Sequence, residues 1–198
     1  MADGDVRLSG DVIDTCTPLY AKLLGGAWSQ LAEPIRAFHA KTPTQARGRM
    51  RLVNGGGVPA RALNWLLRLP AASESADVRL HVDRERDGER WCRTFNGARV
   101  TTWQRAGAAN LLVERFGFFE IQFQLVSENG ALRYRQTDAS MRIGALRLRL
   151  PAAIAPAVEG CERPCGPACI DVQVSVSWPP AGLILAYDGA IHFENRAA

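Results

Sequence analysis

From Asp77 onward the chain keeps a two-residue hydrophobic period, and this limits its fold more than any other feature. Val78/Leu80/Val82 alternate with Arg79/His81/Asp83, Phe119/Ile121/Phe123/Leu125 with Glu120/Gln122/Gln124, and Val172/Val174/Val176/Trp178 with Asp171/Gln173/Ser175/Ser177. In a strand such alternation puts the two sets on opposite faces. Asp87-Gly88, Asn96-Gly97 and Asn129-Gly130 punctuate the pattern with the dipeptides that favour tight hairpins. Neighbouring strands are therefore expected to run antiparallel, each with an apolar face to cover. Val100 to Arg105 and Leu111 to Phe116 are less regular, Ile143 to Leu150 opposes Leu146/Leu148/Leu150 to Arg147/Arg149, and the last strand or two lie within Leu183 to Phe193.

Ahead of this region the period is mostly helical. Thr17-Pro18 reads as an N-cap followed by a first-turn proline. Tyr20, Leu24, Trp28, Leu31 and Ile35 then form one apolar stripe, and Gly25-Gly26 and Pro34 break it into two short helical pieces. Arg47 to Val53 alternates as a strand and ends at Gly55-Gly56-Gly57. Val58 to Leu69 predicts a second amphipathic helix, with Ala62, Leu66 and Leu69 on one face and Leu63 beside it. The expected class is α+β: a curved antiparallel sheet, an open barrel of lipocalin- or START-like form, packed on one or two amphipathic N-terminal helices. Residues 1–16 are expected to be a flexible lead-in and residues 17–198 a single domain.

The net charge of +4 is almost wholly arginine, because Lys22 and Lys41 are the only lysines. The arginines are scattered, in pairs such as Arg133/Arg135 and Arg147/Arg149 that suit the solvated face of a strand. They form no stripe with stacking aromatics, so nucleic acid is not an expected partner. No apolar run reaches membrane-spanning length. The acidic Met1-Ala2-Asp3-Gly4-Asp5 start lacks the basic and apolar regions of a secretory signal. A soluble, cytoplasmic protein is expected.

The run Glu89-Arg90-Trp91-Cys92-Arg93-Thr94-Phe95 holds the clearest hint of a site. Glu89, Trp91, Arg93 and Phe95 share a face, so two aromatics bracket an arginine on the side expected to be buried. A buried charge without a partner is costly. Glu89 is too far along the same strand for easy contact, so Arg93 needs a cross-strand acid or a ligand. Trp91, Phe95, Phe119, Phe123, Tyr134 and Tyr187 are the expected lining of an apolar pocket, with Arg93 meeting an anionic group. His39 reads either as a half-buried histidine at a helix C-terminus, helped by the helix dipole, or as a residue at the pocket mouth.

Cys161, Cys165 and Cys169 stand four apart in a Pro/Gly-rich run that reads as an oxidisable loop. Zinc sites use short paired spacings and four ligands, so these thiols are only weak metal candidates. Gly-x-Ser-x-Gly is absent, and His39, His81 and His192 are the only histidines, so no nucleophilic triad is visible. Gly55-Gly56-Gly57 lacks the Lys-Ser/Thr of a phosphate loop and reads as a plain turn. Glu120, Asp138 and Asp188 read as solvated carboxylates. No cofactor is expected.

Several short patterns follow one another in order: Leu19-Tyr20-x-x-Leu23-Leu24-Gly25 with Trp28 and Leu31, Ile35-Arg36-x-x-His39, and Gly55-Gly56-Gly57. Leu69-Pro70, Glu89-x-Trp91-x-Arg93-x-Phe95 and Tyr187-x-Gly189 follow. Taken together the chain resembles the bacterial family known as domain of unknown function four-one-six-six, over residues 18 to 193. The resemblance implies association with a nucleotide-binding, saccharopine-dehydrogenase-like partner and a role beside small-molecule or lipid metabolism. The cysteine run is not part of that pattern.

Function narrows to three classes. The leading one is a soluble binding module with an apolar pocket for a small hydrophobic or amphipathic anionic ligand. The second is an enzyme or accessory domain acting on a small metabolite with His39 and Arg93, since acid–base residues need no motif. The third is a structural or interaction domain with a filled core, where Arg93 pairs with an internal acid such as Glu89 or Glu120.

Overall fold

The computed structural model describes residues 17–144 and 146–194; the expected lead-in over residues 1–16 lies outside them. The N-terminal stripe forms α1 (Leu19–Leu24), a 3-10 segment (Gly25–Gln30) and α2 (Glu33–Ala40), broken where Gly25 turns with φ of 53° and where Pro34 opens α2. The strands are β1 (Thr44–Asn54), β2 (Ser73–Glu85), β3 (Gly88–Phe95), β4 (Ala98–Ala106), β5 (Leu112–Phe116) and β6 (Phe119–Glu128). They continue as β7 (Ala131–Ile143), β8 (Leu146–Arg149), β9 (Ala157–Gly166), β10 (Cys169–Trp178) and β11 (Gly182–Phe193), while α3 (Val58–Leu66) joins β1 to β2.

All pairings are antiparallel and mostly follow chain order, until the last strand returns to the first. β1 and β11 pair over nine positions, from Ala46↔Phe193 to Asn54↔Leu185. Among the described residues, ten strands thus close into a barrel, with β8 attached only to β7. The expected curved antiparallel barrel is thus present, and its openness alone is corrected. Period-two patterning specifies faces and local hairpins, whereas closure depends on two strands far apart in sequence. The weakest seam lies between β7 and β9, where the ladder covers only Leu132 to Tyr134. Beyond it the Gln136 side chain takes over: its Nε2 donates to Pro156 O at 2.8 Å, and its Oε1 accepts from Val158 N at 2.7 Å.

The two barrel ends differ. At one end, α1 packs against β4 and β6, and α2 against β9 and β10. Tyr20 and Ile35 are fully buried there, and the Phe38 ring lies 5.4 Å from Phe193 and 5.9 Å from Trp91. These segments cap the barrel. At the opposite end lie α3 and the β3–β4, β5–β6, β7–β8 and β10–β11 connections. Here α3 buries Ala60 and Asn64 against Ile184 and Leu185, and Asn64 Nδ2 donates to Ile184 O at 3.2 Å.

Ala62 and Leu66 face solvent, because the helix turns its Ala60–Asn64 side to the barrel. Two further expectations are corrected. Leu146 and Leu148 are exposed, because β8 lies outside the barrel ring. The cysteine run is the β9–β10 hairpin and not a loop, with Cys165 and Cys169 joined in a disulfide. Pro164 is accommodated next to a register shift and beyond the stretch of β9 that pairs with β7.

This division of leucines has a measurable outcome. Leu132 is fully buried at the β7–β9 seam and Leu146 is 57 % exposed on β8. Leu132→Ala is expected to cost about 3 kcal/mol in urea unfolding, and Leu146→Ala less than about 0.5 kcal/mol. Equal losses would contradict the placement of β8.

Candidate functional site

The barrel interior is not filled. A cavity of about 200 Å³ runs between the capped end and α3. Towards α3 its walls are apolar and include Phe95, Phe116, Phe119, Val174 and Leu185, with Leu63 and Leu69 at the rim. Tyr187 stands beside Phe95 among these walls, and deeper lie the polar side chains Arg93, Thr102, Gln104, Glu114, Tyr134 and Glu162.

Strand β3 supplies the first of them. Glu89, Trp91, Arg93 and Phe95 all turn inward, as alternation requires. Arg93 Nη1 donates to Thr102 Oγ1 at 3.0 Å and lies 3.8 Å from Glu114 Oε1, while its guanidinium sits 5.0 Å from the Trp91 ring centre. Glu114, not Glu89 or Glu120, is thus its carboxylate. It comes from β5, two strands away. Glu89 instead accepts from Trp91 Nε1 at 3.0 Å. Both polar contacts described for Arg93 run through Nη1.

A second chain of polar groups floors the cavity. Glu162 on β9 accepts from His39 Nε2 through Oε2 and from the Tyr134 hydroxyl through Oε1, each at 2.7 Å. Tyr20 donates to Gln104 Oε1 at 2.7 Å. With both tyrosine protons so engaged, the 3.2 Å approach of the two hydroxyl oxygens is a contact between filled partners. The Tyr20 and His39 rings stack with centres 3.8 Å apart. Gly160 makes room for Tyr134, since a Cβ there would lie 3.0 Å from its ring.

Burial sets the charges. It would raise the Glu162 carboxyl, but His39, Tyr134 and Arg93 outweigh it and hold the group below its ordinary value. Burial pushes Tyr20, Tyr134 and Tyr187 up, with Glu162 adding to the rise at each, so these phenols stay protonated near neutrality. Glu89 is also raised, by burial first. Desolvation would lower the Arg93 guanidinium, yet Tyr187 and Glu114 leave it above its ordinary value.

Trp91, Arg93, Phe95, Phe119, Phe123, Tyr134 and Tyr187 all line the cavity. His39 does not: it lies at the capped end behind Glu162, because α2 crosses that end, not the mouth. Glu120 is no solvated carboxylate. It is buried on the outer face of β6 beneath Arg105, Arg142 and Arg147. Cys161 is free and buried, and among the described residues no group of three or more His, Cys, Asp or Glu side chains is disposed to hold a metal. Glu162, Glu114, Gln104 and Thr102 were not anticipated. Glu162 lay inside the cysteine run, where the Val158/Gly160/Glu162 alternation was its only signal; Glu114 lay in an irregular run as the middle of Leu112/Glu114/Phe116.

Closed ladder, end caps and polar-floored interior define an antiparallel β-barrel protein with an internal cavity. The chain belongs to the family described as Domain of unknown function (DUF4166), whose model matches residues 31–191. The match begins after α1, so the Leu19–Trp28 part of the resemblance falls outside it. No curated protein and no solved structure matches the chain.

The Glu162 carboxylate gives a pH signature. Its folded value is depressed, so its contribution to stability is present above the ordinary carboxylate value of 4.5 and fades as pH falls through the lower folded value. Glu162→Gln is expected to lose about 2 kcal/mol at neutral pH, and the gap to wild type should shrink in denaturant titrations below pH 4.5. A gap independent of pH would show that the carboxylate's charge is not what its partners hold.

Proposed function

We propose that the barrel is a soluble, cytoplasmic binding module for a small amphipathic anion, which enters past α3 with its charged group leading. The observation that carries this reading is the unfilled interior: about 200 Å³ of apolar-walled space around a half-buried guanidinium. An arginine fork binds a carboxylate through two parallel hydrogen bonds, and the described polar contacts of Arg93 use one terminal nitrogen. Tyr187 lines the same space and is held protonated by burial, so its hydroxyl is a donor available to an anion.

Size and polarity together orient the ligand. A dry cavity of about 150 Å³ accepts benzene, so this one suits an aromatic ring or a short acyl chain. The polar groups lie deep and the apolar walls face α3, which directs the tail outward. A lipocalin- or START-like mode of holding the ligand inside the barrel is part of this reading. For enzymatic use, acid–base groups must exchange protons near neutral pH; Tyr134 titrates far above that range and His39 is turned to Glu162, which favours binding over turnover. The association with a dehydrogenase-like partner rests on the family resemblance alone.

Decanoate titration followed by calorimetry tests the proposal. Saturable binding to the wild-type protein is expected, weakened roughly tenfold or more by Arg93→Gln, which removes charge-assisted hydrogen bonds. Val172→Phe places a ring in the cavity and should abolish binding while leaving the circular dichroism spectrum unchanged. No saturable heat with wild type, or heats indifferent to both substitutions, would sink the reading.

A further inference from the structure

The α3 end of the barrel carries an apolar surface that the fold does not use. Trp65 is 81 % exposed, Val58 69 % and Leu66 60 %, all on one nine-residue helix. Large apolar side chains scattered singly on a surface are ordinary, but a cluster of them marks an interaction site. Ile143 and Leu146 at the β7–β8 connection, and Ile154 before β9, are also exposed at this end. Trp178 Nε1 donates to Ile154 O at 2.8 Å, and Trp178 also packs in the cluster beneath α3, so Ile154 and α3 flank the same rim.

Charge separates the two ends as sharply. Residues 55–72, 96–99, 117–118, 142–156 and 179–182 contain six arginines and no aspartate or glutamate. The capped end, over residues 19–43, 84–88, 107–111, 128–130, 166–168 and 194, contains five acids and five bases. Arg142 and Arg147 at the mouth end face Glu120, and Arg149 faces Asp138. Arg61, Arg68 and Arg99 have no carboxylate partner among the described residues.

We infer that this end docks on an anionic membrane surface, with Trp65 and Leu66 entering the interface and Arg61 and Arg68 meeting the headgroups. Tryptophan and leucine flanked by arginine, on a short helix without acidic residues, match an interface whose outer layer is negative and whose inner layer is apolar. A protein partner could use the apolar residues, but the arginines beside them that lack a described carboxylate partner, Arg61, Arg68 and Arg99, favour a surface of uniform negative charge. Among the described residues no helix is long and apolar enough to cross the bilayer; the docking inferred is a surface contact through α3. That docking loads the cavity rests on the ligand-binding reading; the docking itself does not.

The test is co-sedimentation of the full chain with vesicles of phosphatidylcholine alone or mixed with phosphatidylglycerol. Binding is expected only to the mixed vesicles and should weaken as salt is raised. Trp65→Ser with Leu66→Ser should abolish binding with the thermal midpoint unchanged, since both side chains lie in solvent. Arg61→Ser and Arg68→Ser should each weaken it by roughly fivefold. Val172→Phe should still bind vesicles, so loss of ligand binding and loss of docking read out separately. No binding to the mixed vesicles, or binding indifferent to Trp65→Ser with Leu66→Ser, overturns the inference. So does self-association that this double substitution abolishes in the absence of vesicle binding, which would make the face a contact between copies.

Discussion

The ladder between β1 and β11 is the constraint on which the rest depends. Without those nine pairings the sheet would keep two long unpaired edges, an aggregation hazard for any strand so apolar on one face. With them it becomes a ring, and a ring of ten strands has an interior of its own. Around eight strands the side chains of a barrel just fill its centre; with two more, space remains. The cavity is thus a consequence of strand number rather than of particular small residues. The same geometry leaves two open ends, and the helices exist to cover them.

At the capped end the covering is done by polar groups as much as by apolar ones. Glu162 on β9 draws His39 of α2 and Tyr134 of β7 to itself, and Tyr20 of α1 reaches Gln104 of β4. Hydrogen bonds in a low-dielectric interior are strong, and unmade ones are costly. Each of these bonds therefore fixes where a cap helix sits relative to the wall. Arg93 and Glu114 repeat the device at mid-height. The result is a core that is specified by direction as well as by volume.

The faces of the strands were legible in the sequence, because period two encodes them directly: Glu89 to Phe95 turns as its alternation requires, and so do Val78 to Val82 and Phe119 to Leu125. The bend at Gly25 and Pro34 was legible for the same local reason. Closure was not, since nothing near Ala46 refers to Phe193. Partners were the hardest to see. Arg93 needed an acid, but Glu114 sits two strands over, and only a folded sheet brings them together. The helix over residues 58–66 misled because its stronger apolar stripe faces out; a moment calculated from sequence says which side is apolar, not which side is covered.

That helix also stands apart energetically. Its contacts belong to a small cluster around Ala60, Ile184 and Leu185, which meets the main core, the one joining the cap helices to the barrel wall, through Tyr187. It is an insertion between β1 and β2, so displacing it breaks few of the ladder bonds that hold the ring. Proteins open in cooperative units, each with its own free energy. Here the unit that guards the mouth is joined to the unit that sets global stability through few contacts, among them Tyr187 and the Asn64–Ile184 hydrogen bond. Amide protons of α3 should therefore exchange through a cheaper opening than those of β1 and β11, and access to the interior is a matter of local breathing, not of unfolding.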